Sequence, residues 1–261
     1  MRVNTTKQKL AEGKAVFGGI IGEHAPGMVE LLGAVGYDFV MIDCEHGPMD
    51  LNQVEHMVRA AEVFGITPIA RVPDHEPQTI LRFLDRGVQG VIVPHVNTAA
   101  EAEAVATAAR YYPEGNRGVG SGRAHDYNVA NVRAETTGWL NEQTLVIPMI
   151  EEKEAVANLD AILQVAGVDV LHVASSDLTQ SLGNPPPAEV RRIIRETVGR
   201  IQAAGRVAGI GGNSPTDYEG VADLINAGAL FITIQAFGLL RVGAELFRDR
   251  VQEHLAPRAT V

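Results

Sequence analysis

The stretch Met41-Ile42-Asp43-Cys44-Glu45-His46-Gly47-Pro48 runs an apolar strand into two carboxylates, a thiol and an imidazole before a Gly-Pro stop. The residues leading in, Tyr37 to Ile42, have the character of a strand buried on both faces, and nothing in a core needs charge at its end. One acid could simply cap the next helix. Three titratable groups within four positions point instead to acid-base chemistry. Cys44 invites reading as a nucleophile, although a small residue filling the top of a strand explains it more simply.

The elements that must position these groups follow a regular alternation. Apolar runs at Val16 to Ile21, Phe39 to Asp43, Pro68 to Val72, Gly90 to Pro94, Leu145 to Ile150, Val168 to Val173, Val207 to Ile210 and Leu230 to Ile234 read as strands. Helical periodicity falls between them, at Gly27 to Val35, Leu51 to Val63, Gln78 to Arg86, Ala99 to Tyr111, Val132 to Glu142, Glu154 to Val165, Pro187 to Ala204 and Tyr218 to Asn226. A last helix over Leu239 to His254 closes the chain, and residues 239–255 are expected to pack on a neighbouring subunit. Strand-helix repeats imply parallel pairing through right-handed crossovers, and eight of them predict an α/β fold, a single-domain (β/α)8 TIM barrel over residues 1–261. An open doubly wound sheet is the rival, weakened by the absence of a GxGxxG turn after the first strand. Asn97-Thr98 and Ser214-Pro215 are the expected helix caps, with Pro187 near a first turn.

Composition narrows the functional class. With 46% hydrophobic residues and no apolar run near the roughly 20 residues of a membrane span, the chain reads as soluble. No secretory h-region follows Met1, and one cysteine excludes an internal disulfide, so a cytoplasmic setting is expected. The net charge of −10 disfavours nucleic acid and anionic lipid as partners. Arg117 and Arg123 flank a glycine-rich loop, Gly115 to Arg123, that could cradle a phosphate. It lacks a preceding strand and the lysine of a nucleotide loop, so a mobile active-site loop or subunit contact is the better reading of this long segment, 112–131.

In a barrel the C-terminal strand ends form the catalytic face. There the second strand offers Asp43, Glu45 and His46, the third Arg71, the fourth His95, the fifth Glu151 and the sixth Ser175-Ser176-Asp177. Few carboxylates with a guanidinium and an imidazole suit a hard divalent cation, magnesium or manganese, holding an oxygen-rich substrate. A 2-oxo acid would chelate through carboxylate and keto oxygen, with Arg71 on the enolate oxygen and His46 moving the proton. Each residue also has a structural reading: Glu151 in an ion pair, Asp177 as a turn cap, Arg71 in a barrel-mouth salt bridge. Glu152 competes with Glu151, and side-chain alternation lets only one of them face the site. His172, inside a strand, reads as a core histidine.

Taken together, Asp43-x-Glu45-His46-Gly47-Pro48, Arg71-Val72-Pro73, Leu84-Asp85-x-Gly87, Val93-Pro94, Tyr112-Pro113-x-Gly115-x-Arg117-Gly118-Val119-Gly120, Met149-Ile150-Glu151 and Ser176-Asp177-Leu178 resemble the 4-hydroxy-2-oxoheptanedioate aldolase family. These are class II, metal-dependent pyruvate aldolases of the phosphoenolpyruvate-binding barrel superfamily, and the likeness spans essentially the whole chain. The resemblance implies reversible cleavage of 4-hydroxy-2-oxo acids to pyruvate or hydroxypyruvate and an aldehyde through an enolate. It implies Glu151 and Asp177 as ligands of Mg2+, Mn2+ or Co2+, and Arg71 on the keto or enolate oxygen. It also implies His46 as the acid-base residue held by Asp85, amides near Ser176 and Asp177 for the substrate carboxylate, and a homo-oligomer, a hexamer by resemblance. Three departures from the pattern stand out: Ala174-Ser175 replaces Gly-Pro, Met149 replaces a glutamine, and Cys44 stands in a small, uncharged slot. The rival activity is an oxaloacetate-type decarboxylase or other 2-oxo acid lyase, and a non-catalytic 2-oxo acid sensor is disfavoured because binding needs no proton-transfer pair.

Overall fold

Side chains alternate faces along a strand, so in a closed barrel every second residue points at the axis and the others at the surrounding helices. The computed structural model, which describes residues 2–129 and 133–255, follows this rule. Its strands are β1 (Val16–Ile21), β2 (Phe39–Asp43), β3 (Thr67–Arg71), β4 (Gly90–Val93), β5 (Leu145–Ile150), β6 (Val170–Ala174), β7 (Val207–Asn213) and β8 (Ala229–Gln235). All pair in parallel in chain order, and β8 closes on β1, giving the expected (β/α)8 barrel. The helices are α1 (Thr5–Ala11), α2 (Pro26–Ala34), α3 (Leu51–Phe64), α4 (Pro77–Asp85), α5 (Ala99–Ala109), α6 (Arg133–Gln143), α7 (Lys153–Ala157), α8 (Leu159–Ile162), α9 (Ser175–Ser181), α10 (Pro187–Ala203), α11 (Tyr218–Asn226) and α12 (Ala236–Glu253).

Two apolar cores result. Inside the barrel, Val16, Ile20, Phe39, Met41, Ile69, Ile92, Leu145, Ile147, Met149, Val170 and Phe231 form one buried cluster, with Phe39 and Phe231 stacked at 4.2 Å between ring centroids. Gly18 leaves the space the Phe39 ring fills. Between strands and helices the alternate set, including Ile21, Val40, Ile42, Ala70, Val91, Val146, Ile150, Leu171 and Val173, packs under the helical layer.

Local chemistry sets the helix ends. Asp50 and Gln53 form a reciprocal capping box on α3, so neither Asp43 nor Glu45 is spent as a cap. Thr98 and Glu101 do the same for α5. At α11 the cap is Asp217 rather than Ser214, whose hydroxyl pairs with Thr216. The single helix expected over Glu154 to Val165 is broken at Asn158, whose side chain leaves the helix to donate to the Asn97 carbonyl at 2.9 Å. The expected helix start at Val132 lies outside the described residues. Helix α1 was not anticipated; it carries Leu10 into the inner core, and buried Thr6 bonds Thr67 Oγ1 at 2.8 Å at the N-terminal end of β3. Among the described residues no helix is long and apolar enough to cross a membrane.

Candidate active site

The inward register that lays down the inner core ends in charge on three strands. On β2 it reads Phe39, Met41, Asp43; on β3 Thr67, Ile69, Arg71; and β5 runs Leu145, Ile147, Met149 and on to Glu151. Asp43, Arg71 and Glu151 therefore meet at the C-terminal mouth, where they are 4%, 8% and 1% exposed. Asp43 and Arg71 are register partners, and the guanidinium grips the carboxylate twice, Nε to Oδ1 at 2.9 Å and Nη2 to Oδ2 at 2.7 Å. A third nitrogen, Nη1, lies 3.0 Å from Glu45 Oε2. Burial opposes the Arg71 charge, but the bonds and charges of Asp43, then Glu45 and Glu151, outweigh it and hold the group above its ordinary value. Asp43 Oδ1 also accepts from the backbone N–H of Glu45 and His46, shaping the turn that carries both.

His46 projects to the rim, its side chain 64% exposed and Nε2 3.9 Å from Glu45 Oε2. His95 faces it across Glu45, with Nε2 3.5 Å from Glu45 Oε1. The backbone N–H of His95 donates to Glu151 Oε1 at 2.7 Å, and its ring Nδ1 lies 2.9 Å from Glu152 Oε1. Glu151 thus faces the site while Glu152 stays at the rim, as alternation required. Burial raises the Glu151 carboxyl; His95 pulls it down, Glu45 and Asp177 push it up again, and the result stays above the ordinary carboxylate range. Asp177 arrives on the first turn of α9, a helix absent from the sequence reading that begins directly where β6 ends.

These carboxylates crowd one another while the Arg71 guanidinium is already committed to Asp43 and Glu45. That excess of negative charge on oxygen donors is the environment a hard divalent cation relieves, so Glu151 and Asp177 fit the ligand role. Cys44 is buried, and burial followed by the charge of Asp43 pushes its thiol up to about 12, which removes it as a nucleophile. His172 is a core histidine: it points into the barrel against the edge of Phe231, and burial drives its pKa down to about 3.

Asp85 does not hold His46 within this chain. Helix α4 runs back from the mouth, so its last residue, Asp85, lies at the opposite, N-terminal end of the barrel, where it accepts from Arg117 Nη2 at 2.8 Å. Arg117 also lies over the Tyr111 ring, 4.6 Å from its centroid, and Arg123 pairs with Glu62. Both loop arginines are therefore taken up by carboxylates, Asp85 and Glu62, rather than turned toward the loop's own amides. What residue type alone does not give is the bracing of Arg71 by Asp43 and Glu45 and the contact of the His95 ring with Glu152; their position at strand ends is the available signal.

The whole chain is similar to known aldolases. The chain is 35% identical over 237 residues to the hydroxypyruvate/pyruvate aldolase of Roseobacter denitrificans, covering 89% of this chain and 90% of that one. It is 32% identical over 259 residues to the 2-keto-3-deoxy-L-rhamnonate aldolase of Shigella sonnei, covering 97% and 92%. A solved HpcH/HpaI aldolase/citrate lyase family protein from Burkholderia cenocepacia superimposes with a TM-score of 0.84 at 27% identity, over 95% of this chain and 99% of that one. The HpcH/HpaI aldolase/citrate lyase family model matches residues 21–236, from the last residue of β1 to the first beyond β8. Because that span is well over half of the chain, the chain belongs to the HpcH/HpaI aldolase/citrate lyase family.

Proposed function

We propose that the protein is a divalent-metal-dependent aldolase that reversibly cleaves 4-hydroxy-2-oxo acids to pyruvate or hydroxypyruvate and an aldehyde, the reaction type of its named relatives. The observation that carries this reading is the meeting of the Asp43-held Arg71 guanidinium with the buried Glu151 carboxylate at one mouth. Glu151 and Asp177 would hold the cation, Mg2+, Mn2+ or Co2+, which when bound polarises the substrate's 2-oxo group. Arg71 presents the N–H groups of Nη1 and Nη2 that Asp43 and Glu45 do not take to the oxygen that gains charge as the C3–C4 bond breaks. His46 takes the proton of the 4-hydroxyl, the C3–C4 electron pair passes into the enolate as the aldehyde leaves, and return of that proton to C3 completes the 2-oxo acid product and restores His46. The N–H groups of the first turn of α9, at Ser176 and Asp177, lack acceptors within the helix and would receive the substrate carboxylate.

The Asp85–His46 pairing then requires a second copy of the chain. Helix α12 supports association, since Phe237, Leu240, Leu246, Phe247 and Val251 leave large apolar side chains exposed along it. A homo-oligomer, hexameric as in the resembled family, with α12 packed on a neighbour is the assembly we assign. The lone buried thiol fits a cytoplasmic enzyme.

Turnover of 4-hydroxy-2-oxo acids by the metal-loaded protein, read as coupled pyruvate and aldehyde release, tests the reading. Release of CO2 from oxaloacetate with no cleavage of any 4-hydroxy-2-oxo acid would replace the aldolase by a decarboxylase on the same site.

A further inference from the structure

His95 and Glu152 take no part in the chemistry above, yet they carry the least economical geometry at the mouth. His95 adopts φ +54°, a left-handed conformation uncommon for a residue with a side chain. Glycine would adopt it without steric penalty, so a large ring there must return something for its strain. Glu152 stands at the N-cap position of α7 with extended backbone, but its side chain makes no capping bond. Its carboxylate goes to the His95 ring instead.

We propose that His95 and Glu152 are a positioning pair that presents Glu151 to the divalent cation. The proposal rests on Glu151 being a cation ligand. The last register pair between β4 and β5 is Val93 with Pro148, so two residues later the His95 N–H is outside that ladder and needs an acceptor. The left-handed turn aims it at Glu151 Oε1, 2.7 Å away. Nδ1 at 2.9 Å from Glu152 Oε1 and Nε2 at 3.5 Å from Glu45 Oε1 hold the ring, and through the ring the turn. Glu152 is itself anchored where α7 begins, its carbonyl accepting from Val156 N–H at 3.1 Å. The chain of restraint runs from Glu152 to the His95 ring, to its N–H, to one oxygen of Glu151. Such outer partners of a metal ligand typically govern about 10–100-fold in metal affinity.

The test is Mn2+ binding to the full-length protein, followed by the electron paramagnetic resonance of free Mn2+, with thermal melting as a check of folding. His95→Gly keeps the N–H and suits a positive φ but removes the ring; His95→Asn, which also tolerates that φ, is the second variant should glycine disturb the fold. Both should weaken Mn2+ binding about 10–100-fold, as should Glu152→Ala, and His95→Gly combined with Glu152→Ala should be no worse than either alone. Glu152→Gln, which keeps an acceptor for Nδ1–H but no charge, should bind like the unaltered protein. Unchanged affinity in both His95 variants would overturn the proposal, because the backbone would then hold Glu151 unaided. A loss in Glu152→Gln equal to that in Glu152→Ala would overturn it too, by making the effect one of charge. If the unaltered protein bound no Mn2+, the cation reading of Glu151 would itself fall, an outcome distinct from both.

Discussion

Asp43 and Arg71 face each other in register on β2 and β3, joined by two hydrogen bonds of 2.9 and 2.7 Å, and the same carboxylate accepts from the backbone of the turn bearing His46. One buried acid thus orients both the group assigned to the developing enolate and the loop that carries the proton carrier. A planar guanidinium meeting a carboxylate in this paired fashion is fixed in direction as well as in charge.

Arg71→Ala should lower kcat more than it raises KM, by about 10²–10³-fold, because the charge it stabilises develops in the transition state. Lysine should rescue only in part, since a point charge does not reproduce the fork. Arg71→Ala should also destabilise by about 3 kcal/mol, since it strands Asp43. Hydrogen-deuterium exchange at the pyruvate methyl group separates roles: unchanged exchange alongside collapsed cleavage would move Arg71 to the aldehyde half of the reaction.

Exhaustive chelation should abolish activity, and Glu151→Gln or Asp177→Asn should weaken cation binding with the barrel intact, because each deletes one anionic oxygen from a site with few protein ligands. Calorimetric titration of Mn2+ and circular dichroism read the two halves of that statement. Full turnover in protein shown to be metal-free would eliminate it.

His46→Ala should cost about 10²–10⁴-fold in cleavage, the scale of a positioned acid-base group. Asp85→Asn should cost less, and only in the assembled protein. Mixing His46→Ala with Asp85→Asn subunits under exchange conditions is the measurement; activity above that of the two variants assayed separately requires that the two residues meet across an interface.

His172 makes folding sensitive to acid. Its pKa lies near 3 in the fold against 6.5 in its absence, driven first by burial and then by the Arg71 charge. The unfolded chain therefore binds a proton that the fold refuses, and the stability present above pH 6.5 is lost as pH falls toward 3. The slope is at most about 1.4 kcal/mol per pH unit for this one proton. His172→Phe, which keeps an aromatic edge on Phe231, should flatten urea-derived stability between pH 6 and 4. An unaltered slope would show that other groups govern it.

Helix α12 should be the association surface. Phe247→Glu, at a position 73% exposed, should reduce the sedimentation coefficient of the assembly without changing far-ultraviolet circular dichroism. If the protein sedimented unchanged, association would have to run through another face.

The barrel was legible in the chain because a parallel strand buried on both faces leaves an unbroken apolar run, and period-two alternation then projects Asp43, Arg71 and Glu151 to one mouth. Those three positions needed no tertiary knowledge. The short helix α9 escaped notice because its seven residues, Ser175–Ser181, carry too few apolar positions for a helical period to show. The roles of His95 and Glu152 escaped because they depend on a backbone conformation and a cross-loop hydrogen bond, neither of which leaves a trace in residue type. Asp85 shows the deeper limit. The family resemblance implies it as the partner of His46, but a helix returning down the barrel carries its end to the opposite face, and distance through a fold is set by element direction rather than by residue count.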